Sequence, residues 1–164
     1  MVIRPETSRD ADAIRALTTA AFSGHPHSDG SEPRIIDALR DAKALTISIV
    51  ADLEGQIVGH SAFSPVQWCD QPGWFGLGPV SVHPALQGRG IGQKLIETGL
   101  EQLRTIGARG CVVLGDPAYY SRFGLKQDER LTYHGPPPEY FTVLIWNEPT
   151  TALSGQVRYH PAFG

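Results

Sequence analysis

The segment richest in chemistry is Leu77-Gly78-Pro79-Val80-Ser81-Val82-His83-Pro84-Ala85-Leu86-Gln87-Gly88-Arg89-Gly90-Ile91-Gly92. A strand-like stretch closes at Pro84, glycines follow at alternate positions (Gly88, Gly90, Gly92), and a helical pattern begins. Glycine reaches dihedrals closed to other residues and lets a ligand approach the backbone. The first N–H groups of a helix have no internal partner and lie at the positive end of its dipole. Together these features make an anion site suited to phosphates. Arg89 adds a charge-assisted donor. A Walker loop needs Gly-Lys-Ser/Thr, and Gly92-Gln93-Lys94 breaks that order. A dinucleotide fingerprint needs Gly-x-Gly-x-x-Gly in an early strand–helix–strand unit. Here the spacing is Gly-x-Gly-x-Gly, past mid-chain. A glycine-rich turn that only packs helix against sheet is the plain alternative.

The elements that must position this loop are readable in outline. Val2 to Arg4 is a short strand ended by Pro5. Ser8 is the expected cap of a helix from Asp10 to Phe22, carried by Ile14, Leu17 and Ala21. Ser31 is the expected cap of a second helix with Pro33 in its first turn and Ile35, Ile36 and Leu39 on its face. Leu45 to Leu53 and Gln56 to Trp68 read as strands around a Glu54-Gly55 hairpin turn. Trp74 to His83 is a third strand. Pro79 within it marks an edge or a bulge, since proline cannot donate to a ladder. Ile91 to Ile106 is the clearest helix, with Ile91, Leu95, Gly99 and Leu103 on one face and Gly107 after its end. Cys111 to Leu114 is a continuous apolar strand. A short turn follows through Tyr119 and Tyr120, and Tyr140 to Trp146 is a late apolar-aromatic strand. Ser23 to Ser31 and His134 to Glu139 read as surface loops. The order implies one domain over residues 1–164 with a mixed α/β (α+β) sheet, mostly antiparallel with one parallel strand–helix–strand unit.

Composition bounds the function. The chain has 164 residues, a formal charge of −3 and 41% hydrophobic residues, enough for a core. That mild acidity excludes a strong nucleic-acid footprint. No apolar run reaches the ~18 residues of a membrane span, and the N-terminus lacks a signal-peptide plan. Cys69 and Cys111 cannot form a disulfide framework, so a reducing cytoplasm is the expected compartment. The six histidines are dispersed and no Cys/His set has zinc spacing, so no metal is expected. Cys111, opening a buried strand, is expected to be inert, and His60 reads as a satisfied core histidine.

Gln87-Gly88-Arg89-Gly90-Ile91-Gly92 also matches Gln/Arg-x-x-Gly-x-Gly/Ala, the coenzyme A pyrophosphate loop of GNAT-type N-acetyltransferases. The likeness extends along nearly the whole chain, which closely resembles the YhbS-like branch of that superfamily. Ile3-Arg4-Pro5-Glu6 with Asp10 to Ile14 looks like the family opening, and Val58 to Val66 like its central strand. Val113-Leu114-Gly115-Asp116-Pro117-Ala118-Tyr119-Tyr120-Ser121-Arg122-Phe123-Gly124-Leu125 is similar to its signature after the fifth strand, with Leu125 where Phe is usual. Gly155 to Phe163 also looks like the branch.

The resemblance implies the acyl-CoA N-acyltransferase fold and transfer of an acetyl group from acetyl-CoA to an amine through a ternary complex. It implies cofactor contacts from Val80, Ser81 and Val82, from Gln87, Gly88, Arg89, Gly90, Ile91, Gly92 and Gln93, and from Tyr120. A backbone N–H near Val82 would meet the thioester oxygen, and Tyr120 would protonate the leaving thiolate as general acid. The adjacent tyrosines should point different ways. Candidates for the general base are Glu32, His83, Asp116 and Glu139. Glu32 is carried forward because the second helix borders the acceptor site in this superfamily. Trp68 and Trp74 either line the acceptor pocket or pack in the core. The acceptor is expected to be a small primary amine, with a protein lysine or N-terminus, or acyl-CoA binding without turnover, as alternatives. A homodimer through an exposed Tyr140–Trp146 strand is also an expectation.

Overall fold

The hairpin shows how sequence becomes architecture here. Glu54 and Gly55 both adopt positive φ, 52° and 88°, the geometry of a two-residue turn between antiparallel strands. It joins β2 (Ile47–Leu53) to β3 (Gln56–Pro65). A computed structural model describes all residues, 1–164. The other elements are β1 (Val2–Pro5), α1 (Ala11–Phe22), α2 (Glu32–Asp41), β4 (Trp74–Val82), α3 (Ile91–Thr105), β5 (Gly110–Leu114), α4 (Pro117–Tyr120), β6 (Leu131–Thr132), β7 (Phe141–Ile145) and β8 (Gly155–Gln156). Six strands form one sheet in the order β1-β2-β3-β4-β5-β7. Every neighbouring pair is antiparallel except β4–β5, which is parallel. A small parallel pair, β6–β8, stands apart and was not expected.

Strand alternation sorts the helices onto two faces. Val50 packs with Ile14 and Leu17 of α1 and Ile36 of α2. Its neighbours Ile49 and Ala51 pack instead with Ile91 and Leu95 of α3. Further along α3, Ile96, Leu100 and Leu103 bury against Phe63, Leu77, Cys111 and Val113. Each such side chain contributes roughly 1.5–3 kcal/mol when fully buried. Gly59 permits the close approach, since a Cβ there would lie 2.7 Å from Leu95 Cδ1. Trp68 and Trp74, each 1% exposed, anchor the remaining core with Val112, Phe141, Val143 and Val157. No helix is long and apolar enough to cross a membrane.

Several local expectations shift. Ser8 does not cap α1 but opens a 3-10 turn, Ser8–Asp10, that leads into it; Thr7 caps that turn, its N–H donating to Asp10 Oδ2 at 2.7 Å in a capping box. Ser31 sits at the second cap, but its hydroxyl donates to Asp29 Oδ1 rather than accepting from the helix. The late strand is less exposed than expected. Phe141 to Val143 are buried, and Lys126 exchanges both backbone hydrogen bonds with Val143 at 3.0 and 2.8 Å, covering the outer edge there.

A buried polar network ties the first strand to the sheet. The Arg40 guanidinium donates to Glu6 at 2.9 Å, and Ser48 Oγ donates to the same carboxylate. Ser48 has one proton, so the His60 Nε2–H must donate to it across 2.8 Å. His60 is fully buried, and its Nδ1 has no partner. The core histidine is therefore satisfied on one nitrogen only. Burial, and secondarily Arg40, push its pKa down to about 3. The imidazole stays neutral although Glu6 lies 4.0 Å away, because Arg40 already balances that carboxylate. A pKa lowered on folding favours protonation of the unfolded chain, so its stability contribution is complete above about pH 6.5 and is lost as pH falls toward 3. The expected slope reaches ~1.4 kcal/mol per pH unit in that window. Urea unfolding between pH 7.5 and 4 should show it, and His60→Leu should flatten it. An unchanged slope in the variant would reject the assignment.

Candidate active site

The parallel pair opens almost as soon as it forms. β4 pairs with β5 only where Trp74, Phe75 and Gly76 face Gly110, Cys111 and Val112. Beyond Gly76 the strands part, although β4 runs on to Val82 and β5 to Leu114. β4 also carries an extra residue against β3: Leu77 faces Phe63 and Val80 faces Ser61, so Gly78-Pro79 forms a bulge. The expectation for Pro79 is met.

Alternation decides which backbone groups face the gap. The His83 N–H donates to Val58 O at 2.8 Å, across to β3. Val82 and Val80 are out of phase with it and turn their backbone groups toward the gap. Ser81 points its backbone to β3, where it faces His60. Its hydroxyl donates to Thr18 Oγ1 of α1 at 3.4 Å. Ser81 is thus turned away from the gap, unlike Val80 and Val82, because strand residues alternate.

The loop at the mouth of the gap is built from donors. His83 caps a short 3-10 turn, its Nδ1 accepting from Ala85 N at 3.1 Å. Gly88 and Gly90 take φ of 78° and 84°, a region that favours glycine. No N–H from Gly88 through Gln93 donates to a backbone carbonyl, and the first that does is Lys94, to Gly90 O at 3.1 Å. Consecutive free N–H groups at a helix start form an anion cradle. Gln87 Nε2 donates to Val82 O at 3.1 Å, bracing the loop on the strand. Arg89 is exposed, whereas Ile91 is buried in the core and offers the loop only its N–H. The Gln93 side chain donates to Glu97 Oε1 at 3.0 Å, along the helix surface.

Two tyrosines follow β5. Asp116 Oδ1 accepts from Ala118 N at 2.9 Å and caps α4. The Tyr120 ring occupies the space where a Cβ on Gly115 would stand. The rings of Tyr119 and Tyr120 are nearly perpendicular, 87° apart with centroids at 5.1 Å. Tyr119 directs its hydroxyl toward Gly92, and Arg122 stacks over its ring at 4.4 Å. Burial, then Tyr119, push the Tyr120 phenol up to about 12. It therefore stays protonated across the neutral range.

The four base candidates lie on four separate segments. Glu32 lies in the first turn of α2 and accepts from Ser28 Oγ at 2.6 Å. His83 and Asp116 are occupied as caps. Glu139 is exposed in the 3-10 turn Pro138–Tyr140. Trp68 donates through Nε1 to Arg130 O at 3.0 Å, and both tryptophans belong to the core rather than to an open pocket. Tyr159, which no sequence pattern singled out, lies against Gly76 where the strands part.

A mixed sheet whose one parallel pair opens onto a cradle of free helix N–H groups is the architecture of acyl-transferring enzymes that use a thioester donor. The chain belongs to the acetyltransferase (GNAT) family, whose family model matches residues 11–125. It is 36% identical to the N-acetyltransferase YhbS of Escherichia coli K12, over 99% of this chain and 98% of that protein. A GNAT family acetyltransferase from Brucella melitensis, solved in complex with acetyl-CoA, is 51% identical with a TM-score of 0.87, covering 99% of this chain and 97% of that one. Escherichia coli YhbS in complex with CoA superposes with a TM-score of 0.88 at 33% identity, covering 99% and 91%.

The cradle yields a direct test. A side chain at Gly90 (φ 84°) strains the backbone by roughly 1–2 kcal/mol. In Gly90→Val the free loop should relax out of this geometry, and restoring it should weaken coenzyme A binding ~5- to 30-fold. Thermal unfolding with and without coenzyme A measures it. Unaltered stabilisation by the ligand would mean that the loop only packs.

Proposed function

We propose that this chain is an acetyl-CoA-dependent N-acetyltransferase acting on a primary amine of a small molecule. The observation that carries the reading is the β4–β5 gap, with donors along one wall and at its mouth. Acetyl-CoA supplies an acyl group already activated as a thioester. Gly88 to Gln93 offer their N–H groups to its pyrophosphate, with Arg89 as an exposed charge beside them. Val80 and Val82 offer backbone groups to the pantetheine arm, and Gln87 holds the loop in place. A backbone donor near Val82 at the thioester oxygen would stabilise developing charge by ~3 kcal/mol. Tyr120 gives its phenolic proton to the departing sulfur. Glu32, on the helix that packs against the C-terminal turn, takes the proton of the incoming amine.

The preference for a small acceptor rests on the C-terminal segment. Arg158 N donates to Gln67 O at 2.9 Å, and the 3-10 turn Pro161–Phe163 lies on α2. The strap runs past Gly76, which Tyr159 covers, to α2, and in this reading it limits the size of the acceptor. A two-part experiment tests the reading. Acetyl-CoA, but not NADH, should raise the melting temperature, by the equivalent of ~2.7 kcal/mol at 100 times its Kd. An amine panel should then find turnover that Tyr120→Phe lowers by ~10²–10⁴-fold with acetyl-CoA binding retained. A fully active Tyr120→Phe would remove the general-acid role. Binding without turnover on any amine or peptide would instead leave an acyl-CoA sensor.

A further inference from the structure

At the vertex of the gap, one face of the sheet is covered by an aromatic side chain from the end of the chain. Gly76 is the last β4 residue paired with β5. A Cβ on Gly76 would lie 2.6 Å from Tyr159 Cε1 and 3.2 Å from its Cδ1. The ring therefore fills the space that a side chain at Gly76 would use, with its hydroxyl end nearer. The Tyr159 hydroxyl is sealed from solvent and has no hydrogen-bond partner. So does the hydroxyl of Ser64, which faces Gly76 across β3–β4. Two orphaned hydroxyls beside one glycine are a costly arrangement for a protein interior, at ~1–3 kcal/mol each.

The wall is held from several sides. Tyr133 meets the Tyr159 ring edge-on, with centroids 5.3 Å apart, and Phe163 packs on it at 5.1 Å. On either side the backbone is fixed by Val157 N to Thr132 O at 2.7 Å and by the Gln67–Arg158 bridge. Burial is the main cause that raises the phenol's pKa.

We infer that Tyr159 sets the acyl-chain length by walling off the vertex of the β4–β5 gap, so that an acetyl group fits and longer acyl groups are excluded. The inference rests on the proposed seating of the acyl-CoA arm in that gap. A thioester carried along β4 from the loop points its acyl end toward Gly76. Each added methylene must then occupy volume that the Tyr159 ring holds. One methylene in such a pocket is worth ~10–200-fold in discrimination.

The test is the affinity of the full chain for acetyl-, propionyl- and butyryl-CoA, measured by calorimetry without an acceptor. The wild-type protein should bind acetyl-CoA at least ~10-fold more tightly than butyryl-CoA. Tyr159→Leu and Tyr159→Ala should erase that ratio, while Tyr159→Phe, which keeps the ring, should preserve it. The leucine variant serves if the alanine variant does not fold. Equal affinities across the series in the wild type, or an unchanged ratio in a folded leucine or alanine variant, overturns the inference and leaves the acetyltransferase reading standing. Absence of acetyl-CoA binding by the wild type overturns both.

Discussion

The parting of β4 from β5 after Gly76 is the constraint on which the rest of the molecule depends. A parallel pair normally continues until one strand ends, because each unpaired N–H or C=O in the interior costs free energy. Here the bulge at Gly78-Pro79 adds one residue to β4, and proline removes a donor. The strand keeps its ladder with β3 on one side and loses it on the other. Val80 and Val82 then present backbone groups to an open slot. A slot of that kind is an incomplete sheet that a ligand with amide and carbonyl groups can finish. Side-chain polarity is not required along this wall, which is why both positions can be valine.

The helix that follows must aim at this slot, and core packing does the aiming. α3 is locked on the sheet by Leu95, Ile96, Leu100 and Leu103. Gly59 lets it lie close to β3. Ile91 is buried in the same contact, so the first turn cannot swing away from the strands. The free N–H groups of Gly88 to Gln93 are consequently fixed in direction before any anion arrives. Such preorganisation reduces the ordering cost of binding. The cradle and the slot are two products of one packing arrangement.

Local signals proved legible where one residue type forces one geometry. Glu54-Gly55, the alternating glycines, Pro79 and the apolar face of α3 all belong to that kind. The element order and the single parallel pair followed from them. Signals failed where a partner distant in sequence decides. Ser81 looked equivalent to Val80 and Val82, yet strand phase turns it to Thr18. Trp68 and Trp74 could be read as pocket or core residues, and strands and segments far along the chain decide for the core by enclosing them. The Glu6–Ser48–His60 network joins two strands to the segment after β1 and has no motif. Tyr159 reaches Gly76 from more than half the chain away, so only the folded structure brings them together.

The short run after β5 shows how little sequence a proton donor needs. Gly115 has no side chain, and the Tyr120 ring takes the vacant space against the backbone. Asp116 turns the chain by accepting from Ala118 N, and Pro117 supplies a helix-compatible φ at the first helical position. The ring also packs against the core cluster that includes Phe63, Leu77 and Cys111. Burial in turn pushes the phenol up to about 12. A phenol so placed holds its proton at every working pH, so it cannot serve as a base. The neighbouring Tyr119 is set perpendicular, faces the loop at Gly92 and is stacked under Arg122. One turn of helix therefore assigns its two tyrosines to opposite duties, one holding a proton and the other bordering the anion cradle.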